Sequence, residues 1–409
     1  MKTVETGEVK YGMHILQVNC FYDRGSTGRI VADIRREALS AGHTVTVCYG
    51  RHAAAPTEGV HKVSSEREAK VHSVLSKLWG VEFGFSPAAT ARVIRHIREE
   101  KPDVVHLHCL NGHFINVYRL VKYLKKHRIR TVLTLHAEIM HTAGCEHALD
   151  CEKWTSECHR CPKIRGKLSR FVRDDARHCF RKMKAAFDGF PELTVVGVSA
   201  WLTARAARSP IFRGARFATV GNGVNTAVFA PQDTAALRQR LALGDEKVIL
   251  YVTPHFAHAL KGGAEMLAMA RRMPECRFII VGFDGDPAAL PENVTPIAHT
   301  QDPLEMAAFY TLADVTLLTS VRETFSMVTA ESLCCGTPVV GYEAGAPETI
   351  ALPAYSTFVP QGDRDALEAA LRTALLTSYD AAAMSAAARE AYAPRTMTSA
   401  YLALYGGDA

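Results

Sequence analysis

The chain of 409 residues carries 48% apolar and 22% charged side chains, a globular usage that excludes a disordered polypeptide and gives a length prior of two or three domains. Net charge is +6, with 48 basic against 42 acidic residues, too mild a bias to argue for nucleic acid. No apolar run approaches the ~18 residues of a membrane-spanning helix, and the opening MKTVETGEVKYGMHILQV lacks the apolar core of a secretory signal, so a cytoplasmic chain is expected. Its eleven cysteines then point to reduced thiols, a metal site or both, ahead of a disulfide framework.

His14–Asn19 reads as the first strand, followed by a small-residue turn over Arg24, Gly25, Ser26, Thr27 and Gly28, a helix over 29–41 and a strand at Thr44–Tyr49. Strands at 104–108, 131–136 and 195–199 alternate with helices over 116–127 and 200–208. The pattern then restarts, with strands at 248–253, 277–282, 315–318 and 337–341 and helices over 263–273, 303–312, 329–335 and 363–376. Two helices follow, over 380–392 with Asp380 as N-cap and over 395–405. Such alternation predicts an α/β chain of two doubly wound, parallel-sheet domains, dividing near residues 211–222. The expected boundaries are 1–214 and 215–394, with the helix over 395–409 free to pack back on the first domain. Doubly wound sheets bind ligands at the carboxyl ends of their strands, so a cleft between the two is the default site.

The run RETFSMVTAE at 322–331 follows a strand and opens a helix, and it places Glu323 and Glu331 eight residues apart. Backbone N–H groups of Phe325, Ser326 and Met327 would lie at the helix N-terminus, where a phosphate is favoured. A second stretch, from Thr253 to Gly263, sits between strand and helix and carries Lys261 beside Gly262, a geometry in which a lysine can reach a diphosphate as a point charge. His106, His108 and His113 gather at the end of a parallel strand. On spacing alone, each of these has an ordinary alternative: a solvated helix acid, a surface lysine, a satisfied core or loop histidine.

Together, 322–348 resembles the donor-site signature of the family 4 retaining glycosyltransferases, in which a Glu, seven residues, a second Glu and a Gly-Thr-Pro-Val-Val strand follow one another. The resemblance extends over nearly the whole chain. It implies the GT-B architecture: two Rossmann-like domains facing across a cleft, nucleotide-sugar donor on the C-terminal one and acceptor on the N-terminal one. It implies that Glu323 contacts the transferred sugar and Glu331 the ribose, with Lys261 and the 325–327 amides on the diphosphate. By the same resemblance Gly25, Ser26, Thr27 and Gly28 cover the donor phosphates, and His108, with His113 as a second candidate, faces the transfer site. The Asn222-Gly223-Val224-Asn225 turn matches the segment that opens the second domain in the family, with Asn for Asp at its end. The family's upstream Arg partner of Lys261 is missing, and His255 or His258 stands in that region.

The implied activity is transfer of a sugar from a nucleotide diphosphate, a UDP-sugar in the first instance, to a carbohydrate or lipid-linked acceptor in polysaccharide synthesis. A nucleotide-sugar epimerase of the same fold and a catalytically silent nucleotide-sugar binder are the alternatives. No cofactor is needed for the transfer, since no Asp-x-Asp lies near the donor segment.

Cys145, Cys151, Cys158 and Cys161 fall in an insert at about 141–165 that resembles one found in members of the colanic acid type. Their spacing suits a structural zinc, and four ordinary thiols, a redox disulfide and an iron–sulfur cluster remain open. Basic residues concentrate over 160–184 and, with Arg119, Lys122, Lys125, Lys126, Arg128 and Arg130, over 119–130. They read as solvated helix faces or as attraction to anionic lipid at the inner face of a membrane.

Overall fold

The computed structural model describes residues 12–161, 174–300 and 302–407. These residues form two compact units, one drawn from the described residues of 1–196, 206–218 and 398–409, the other from those of 197–205 and 219–397. The segment 197–205 thus goes with the second unit rather than with the first, as a single break at 214/215 would have it, and the last helix, Pro394–Gly406, belongs to the first unit from Thr398 onward.

The first unit holds a seven-stranded sheet: β1 (His14–Asn19), β2 (Thr44–Tyr49), β3 (Val60–Lys62), β4 (Val104–Leu107), β5 (Thr131–Leu135), β6 (Leu193–Gly197) and β7 (Arg216–Thr219), in the order β3-β2-β1-β4-β5-β6-β7. The pairs from β3 across to β5 are parallel. Ile15, Leu16, Val18, Val104, Val105 and Leu107 are fully buried, as strands covered on both faces require. The second unit has a six-stranded sheet of β8 (Val248–Val252), β9 (Arg277–Val281), β10 (Val294–Ile297), β11 (Val315–Leu318), β12 (Val339–Tyr342) and β13 (Ser356–Val359). Its order is β10-β9-β8-β11-β12-β13, and every pair is parallel. Ile249, Tyr251, Met266, Met269, Phe278, Leu317 and Leu371 form its core between sheet and helices.

Helix starts follow their capping residues. The side chains of Ser65, Asn116, Asp302, Asp363 and Asp380 each accept a hydrogen bond from a backbone N–H in the first turn they precede. The expected small-residue turn at 24–28 is different: helix begins at Gly25, so Gly25–Ser40 includes Ser26, Thr27 and Gly28 as its first turn. A Cβ on Gly28 would come within 3.3 Å of the Phe21 Cβ and the Asp23 nitrogen, so the missing side chain lets this turn lie against the chain leaving β1.

In both sheets the chain winds first to one side and then to the other. The reversal falls between β1 and β4 in the first unit and between β8 and β11 in the second. A doubly wound sheet opens a crevice at such a reversal, outside the carboxyl ends of the strands.

Candidate functional site

In the second unit, the chain leaving β8 reaches Lys261 through the short turn Ala259–Lys261, capped by His258 Nδ1, which accepts from the Leu260 N–H at 3.3 Å. Gly262 follows at φ +75°, and a Cβ there would stand 2.0 Å from the carbonyl oxygen of Thr319, just past β11. Only glycine lets the two strand ends close on each other here. Thr319 Oγ1 donates to the Gly262 carbonyl at 2.8 Å, the Val321 N–H to the Leu260 carbonyl at 2.9 Å, and the Tyr251 hydroxyl to the Lys261 carbonyl at 2.6 Å. The lysine backbone is thereby fixed, and its Nζ lies 2.8 Å from Glu323 Oε1.

Glu323 is held from the other side. Its N–H donates to the Ala344 carbonyl at 3.0 Å, and it forms an isolated parallel bridge with Gly345 beyond β12. The Glu348 carboxylate accepts the N–H groups of Ala344 and Gly345 at 3.1 and 2.8 Å, which keeps that loop in place. Ser326 then takes a left-handed φ of +80° and caps the helix Met327–Cys334, its Oγ accepting from the Thr329 N–H at 3.3 Å. The N–H groups of Ser326 and Met327 come before the first internal bond of this helix and carry its positive end. Glu331 lies farther along the helix, and its Oε2 accepts from the Tyr310 hydroxyl at 3.0 Å. Burial, and then the neighbouring Glu331 charge, push the Tyr310 phenol well up, so it remains a protonated donor.

Lys261, Glu323, the 325–327 segment and Glu331 therefore come from the turns and the helix that follow β8 and β11, at the strand-order reversal. His255 lies in the turn between β8 and Lys261. It is exposed, and its Nδ1 faces Asp284 Oδ2 at 3.5 Å. Sequence reasoning missed Tyr310 and Glu348, which no spacing rule connects to the two glutamates. It also missed Arg322, whose guanidinium lies 5.3 Å from the Trp201 ring centre and whose buried Nε has no partner among the described residues. Trp201 in turn packs on Gly345, where a Cβ would approach its Cε2 to 2.6 Å.

In the first unit the matching reversal gathers Gly25–Gly28 after β1 and His108 after β4. Asn19 closes β1 and links the two ends, its Oδ1 accepting from the Cys109 N–H at 3.0 Å and its Nδ2 donating to the Phe21 carbonyl at 2.7 Å. Burial raises the Cys109 thiol to about 11.

His108 is buried, with Nδ1 3.3 Å from His136 Nε2, and its own Nε2 has no hydrogen-bond partner among the described residues. His106 lies beneath it, ring centres 3.8 Å apart, bonded to Tyr405 Oη at 2.5 Å and Thr134 Oγ1 at 2.8 Å. Burial, followed by the neighbouring imidazoles, holds His106 and His108 well below the usual histidine range, and burial lowers His136 to about 4. All three are neutral near pH 7. His113, the second candidate, is drawn elsewhere: at φ +59° its Nδ1 lies 3.2 Å from Ser76 Oγ, and its carbonyl accepts from Ser86 Oγ at 2.6 Å. His136 was not foreseen as the partner of His108, since nothing in a single sequence aligns the ends of β4 and β5.

Cys145, Cys151, Cys158 and Cys161 are half-buried, and none of the eleven cysteines is joined in a disulfide. Burial, and then the charges of Cys145, Cys151 and Cys161, raise the Cys158 thiol to about 12. Cys158 Sγ donates to the Thr142 carbonyl at 3.6 Å, and buried Trp154 donates from Nε1 to the Cys151 carbonyl at 2.7 Å, which shapes the loop. Of the basic stretch at 160–184, residues 162–173 lie outside the described residues. No helix among the described residues is long and apolar enough to cross a membrane.

Residues 27–228 match the family model Glycosyltransferase Family 4, and residues 246–377 match Glycosyl transferases group 1. Among similar proteins are the D-inositol 3-phosphate glycosyltransferases of Thermobispora bispora, 31% identical over 195 residues, and of Segniliparus rotundus, 31% identical over 140 residues. These matches take in 42% and 30% of this chain, and they span less than half of the relatives' own length, 45% and 31%. Among solved structures, the sucrose-phosphate synthase of Thermosynechococcus elongatus superposes over 97% of this chain and 98% of its own with a TM-score of 0.64 at 18% identity. Anabaena Alr3699/HepE, solved in complex with UDP, covers 97% of this chain and 100% of its own with a TM-score of 0.66 at 14% identity. The fold is GT-B.

Proposed function

Both units carry glycosyltransferase family domains, and from that premise we propose that the chain is a retaining glycosyltransferase that moves a sugar from a nucleotide diphosphate, a UDP-sugar, to a hydroxyl of a carbohydrate or lipid-linked acceptor in polysaccharide synthesis. The observation that carries this reading is the Lys261–Glu323 pair at 2.8 Å, set at the strand-order reversal beside a helix N-terminus. A diphosphate is a stronger partner for the ammonium than a single carboxylate. It would take Lys261 and the N–H groups of Ser326 and Met327, and it would release Glu323 to accept from sugar hydroxyls. Glu331, oriented by Tyr310, would accept from the ribose hydroxyls.

The chemistry then asks for stabilisation of the leaving group and of an oxocarbenium-like centre. The bond from the anomeric carbon to phosphate oxygen breaks, the bond to the acceptor oxygen forms on the same face, and the acceptor's proton passes to the departing diphosphate. No protein nucleophile is required. His108, neutral and with a free Nε2, is suited to hydrogen-bond a sugar hydroxyl without adding charge. Anabaena Alr3699/HepE has been solved with UDP-glucose as well as UDP, which supports a uridine donor. A transfer assay over a panel of nucleotide sugars tests the proposal: transfer to acceptor supports it, while release of free sugar without transfer, or tight nucleotide binding without turnover, refutes it.

The four-cysteine cluster is proposed as a structural zinc site, supported by the spacing of Cys145, Cys151, Cys158 and Cys161 and by the effect of the other three on the Cys158 thiol. Their sulfur donors suit zinc, and the bound ion would hold the insert's two arms together. Membrane contact is proposed on charge and exposure. Arg119, Lys122, Lys125 and Lys126 lie on Val117–Lys126, a helix with no acidic residue, and Val71, Val74, Leu78 and Trp79 are exposed on Glu66–Trp79. An apolar helix face and a basic one in the same unit suit an anionic lipid surface. Sedimentation with anionic against neutral vesicles tests this.

A further inference from the structure

Away from the strand-order reversal, the first unit gathers histidines against one carboxylate. His96 and Glu100 are four residues apart on the helix Pro87–Glu100 and so share a face. His61 comes from β3, the edge strand of the sheet, and its ring stacks on that of His96 with centres 4.4 Å apart. One ligand atom from each of His61, His96 and Glu100 lies within 4.8 Å of the others.

The Glu100 carboxylate is divided in its duties. Oε2 accepts from Thr46 Oγ1 at 2.5 Å and lies 3.3 Å from His14 Nε2. Oε1 is turned to His96 Nδ1 at 2.7 Å. Thr46 and His14 thus anchor the far oxygen, as outer partners of a ligating carboxylate do, and the near oxygen stays with His96. Two imidazole nitrogens and one carboxylate oxygen make a donor set for a borderline divalent ion such as Zn²⁺, Ni²⁺ or Co²⁺, with the remaining positions left to water.

We propose that His61, His96 and Glu100 form a binding site for a divalent transition-metal ion that clips the edge strand β3 to the helix Pro87–Glu100. β3 has only three residues and one hydrogen-bonded neighbour, so a clip there acts on a weakly held part of the sheet. His61 comes from the edge strand β3, in register with Cys48 of β2, while His14 opens β1 and Glu100 ends the helix before β4, so the site lies along the β3 edge of the sheet and not at the reversal between β1 and β4. The clip is structural and independent of sugar transfer.

The test is equilibrium dialysis of Ni²⁺ against the full, tag-free chain, with thermal unfolding followed at several Ni²⁺ concentrations. The expected result is about one ion per chain held by wild type, at least tenfold weaker binding in His61→Ala and Glu100→Gln, and unchanged binding in Cys158→Ser/Cys161→Ser. Binding to the folded state should raise the melting temperature of wild type and not that of His61→Ala. His61 is partly exposed, so its variant is expected to fold, and the metal-free melting temperature checks this. Co²⁺ separates the two clusters: nitrogen and oxygen ligands give weak visible bands, whereas thiolates add intense near-ultraviolet charge transfer. Wild-type affinity retained in both His61→Ala and Glu100→Gln, loss of binding only in the cysteine variant, or no uptake by wild type overturns the proposal.

Discussion

The ammonium of Lys261 and the carboxylate of Glu323 are 2.8 Å apart, each held by backbone bonds between the ends of β8, β11 and β12. This pair sits where the second sheet reverses its strand order, the place at which a doubly wound sheet opens its ligand crevice.

If Lys261 is shared between Glu323 and an incoming diphosphate, the two glutamate properties separate. Glu323→Gln should leave UDP affinity unchanged or improved, because the lysine loses its competing partner, while turnover falls by about 10²–10³, the scale of losing one preorganised transition-state contact. Lys261→Met should weaken UDP binding and turnover together. Calorimetry with UDP beside initial-rate kinetics reads both, and Glu323→Gln with near-normal turnover would remove that residue from the site.

Tyr310 donates to Glu331 at 3.0 Å from a buried position. Tyr310→Phe removes one hydrogen bond, worth about 0.5–1.5 kcal/mol, and leaves the ring in place. The expected outcome is a donor KM raised roughly two- to tenfold with kcat little changed, since a ribose contact is the same in ground and transition states. An unchanged KM would detach Glu331 from the nucleotide.

Gly262→Ala places a Cβ 2.0 Å from the Thr319 carbonyl oxygen at a left-handed φ. Strain of this kind costs about 1–3 kcal/mol, and because Lys261 is the preceding residue, donor affinity should drop with stability. Chemical denaturation and UDP titration of the same variant measure the two effects. Full stability and full affinity would show that the turn is not held as described.

His106, His108 and His136 are depressed in the folded chain and return to the ordinary histidine range on unfolding. The unfolded state therefore binds more protons below about pH 6.5, and stability falls as pH drops from there toward the folded value of His136, about 4. Each such group lowers stability by about 1.4 kcal/mol per pH unit within its window. Unfolding of wild type should become steeply easier between pH 6.5 and 5, and the slope should be shallower in His136→Asn. A flat profile over that interval would contradict the buried, neutral assignment.

Much of this was legible in the sequence because the relevant signals are local. Strand–helix alternation gave the two doubly wound sheets, and the single run 322–331 placed Glu323, the helix start and Glu331 in order. The misses have physical causes. β3 has only three residues, β10 is interrupted by Pro296, and β13 is buried only at Val359, so none of them presents the continuous apolar run that marks β4 or β11. The helix Glu66–Trp79 exposes Val71, Val74 and Leu78, so its apolar residues do not mark a buried stripe. Gly25–Gly28 look like a turn because small residues have no helix propensity to declare themselves by. Tyr310 beside Glu331 and His136 beside His108 depend on which strands and helices become neighbours, and one sequence carries no such information.

The most direct measurement follows the anomeric proton of nucleotide sugars by NMR in the presence of an acceptor panel and the full chain. The proposal predicts that one donor is consumed and that its sugar appears on the acceptor with the donor's anomeric configuration, in wild type and not in Glu323→Ala. Free sugar with no acceptor product, or inverted configuration in the product, would contradict it.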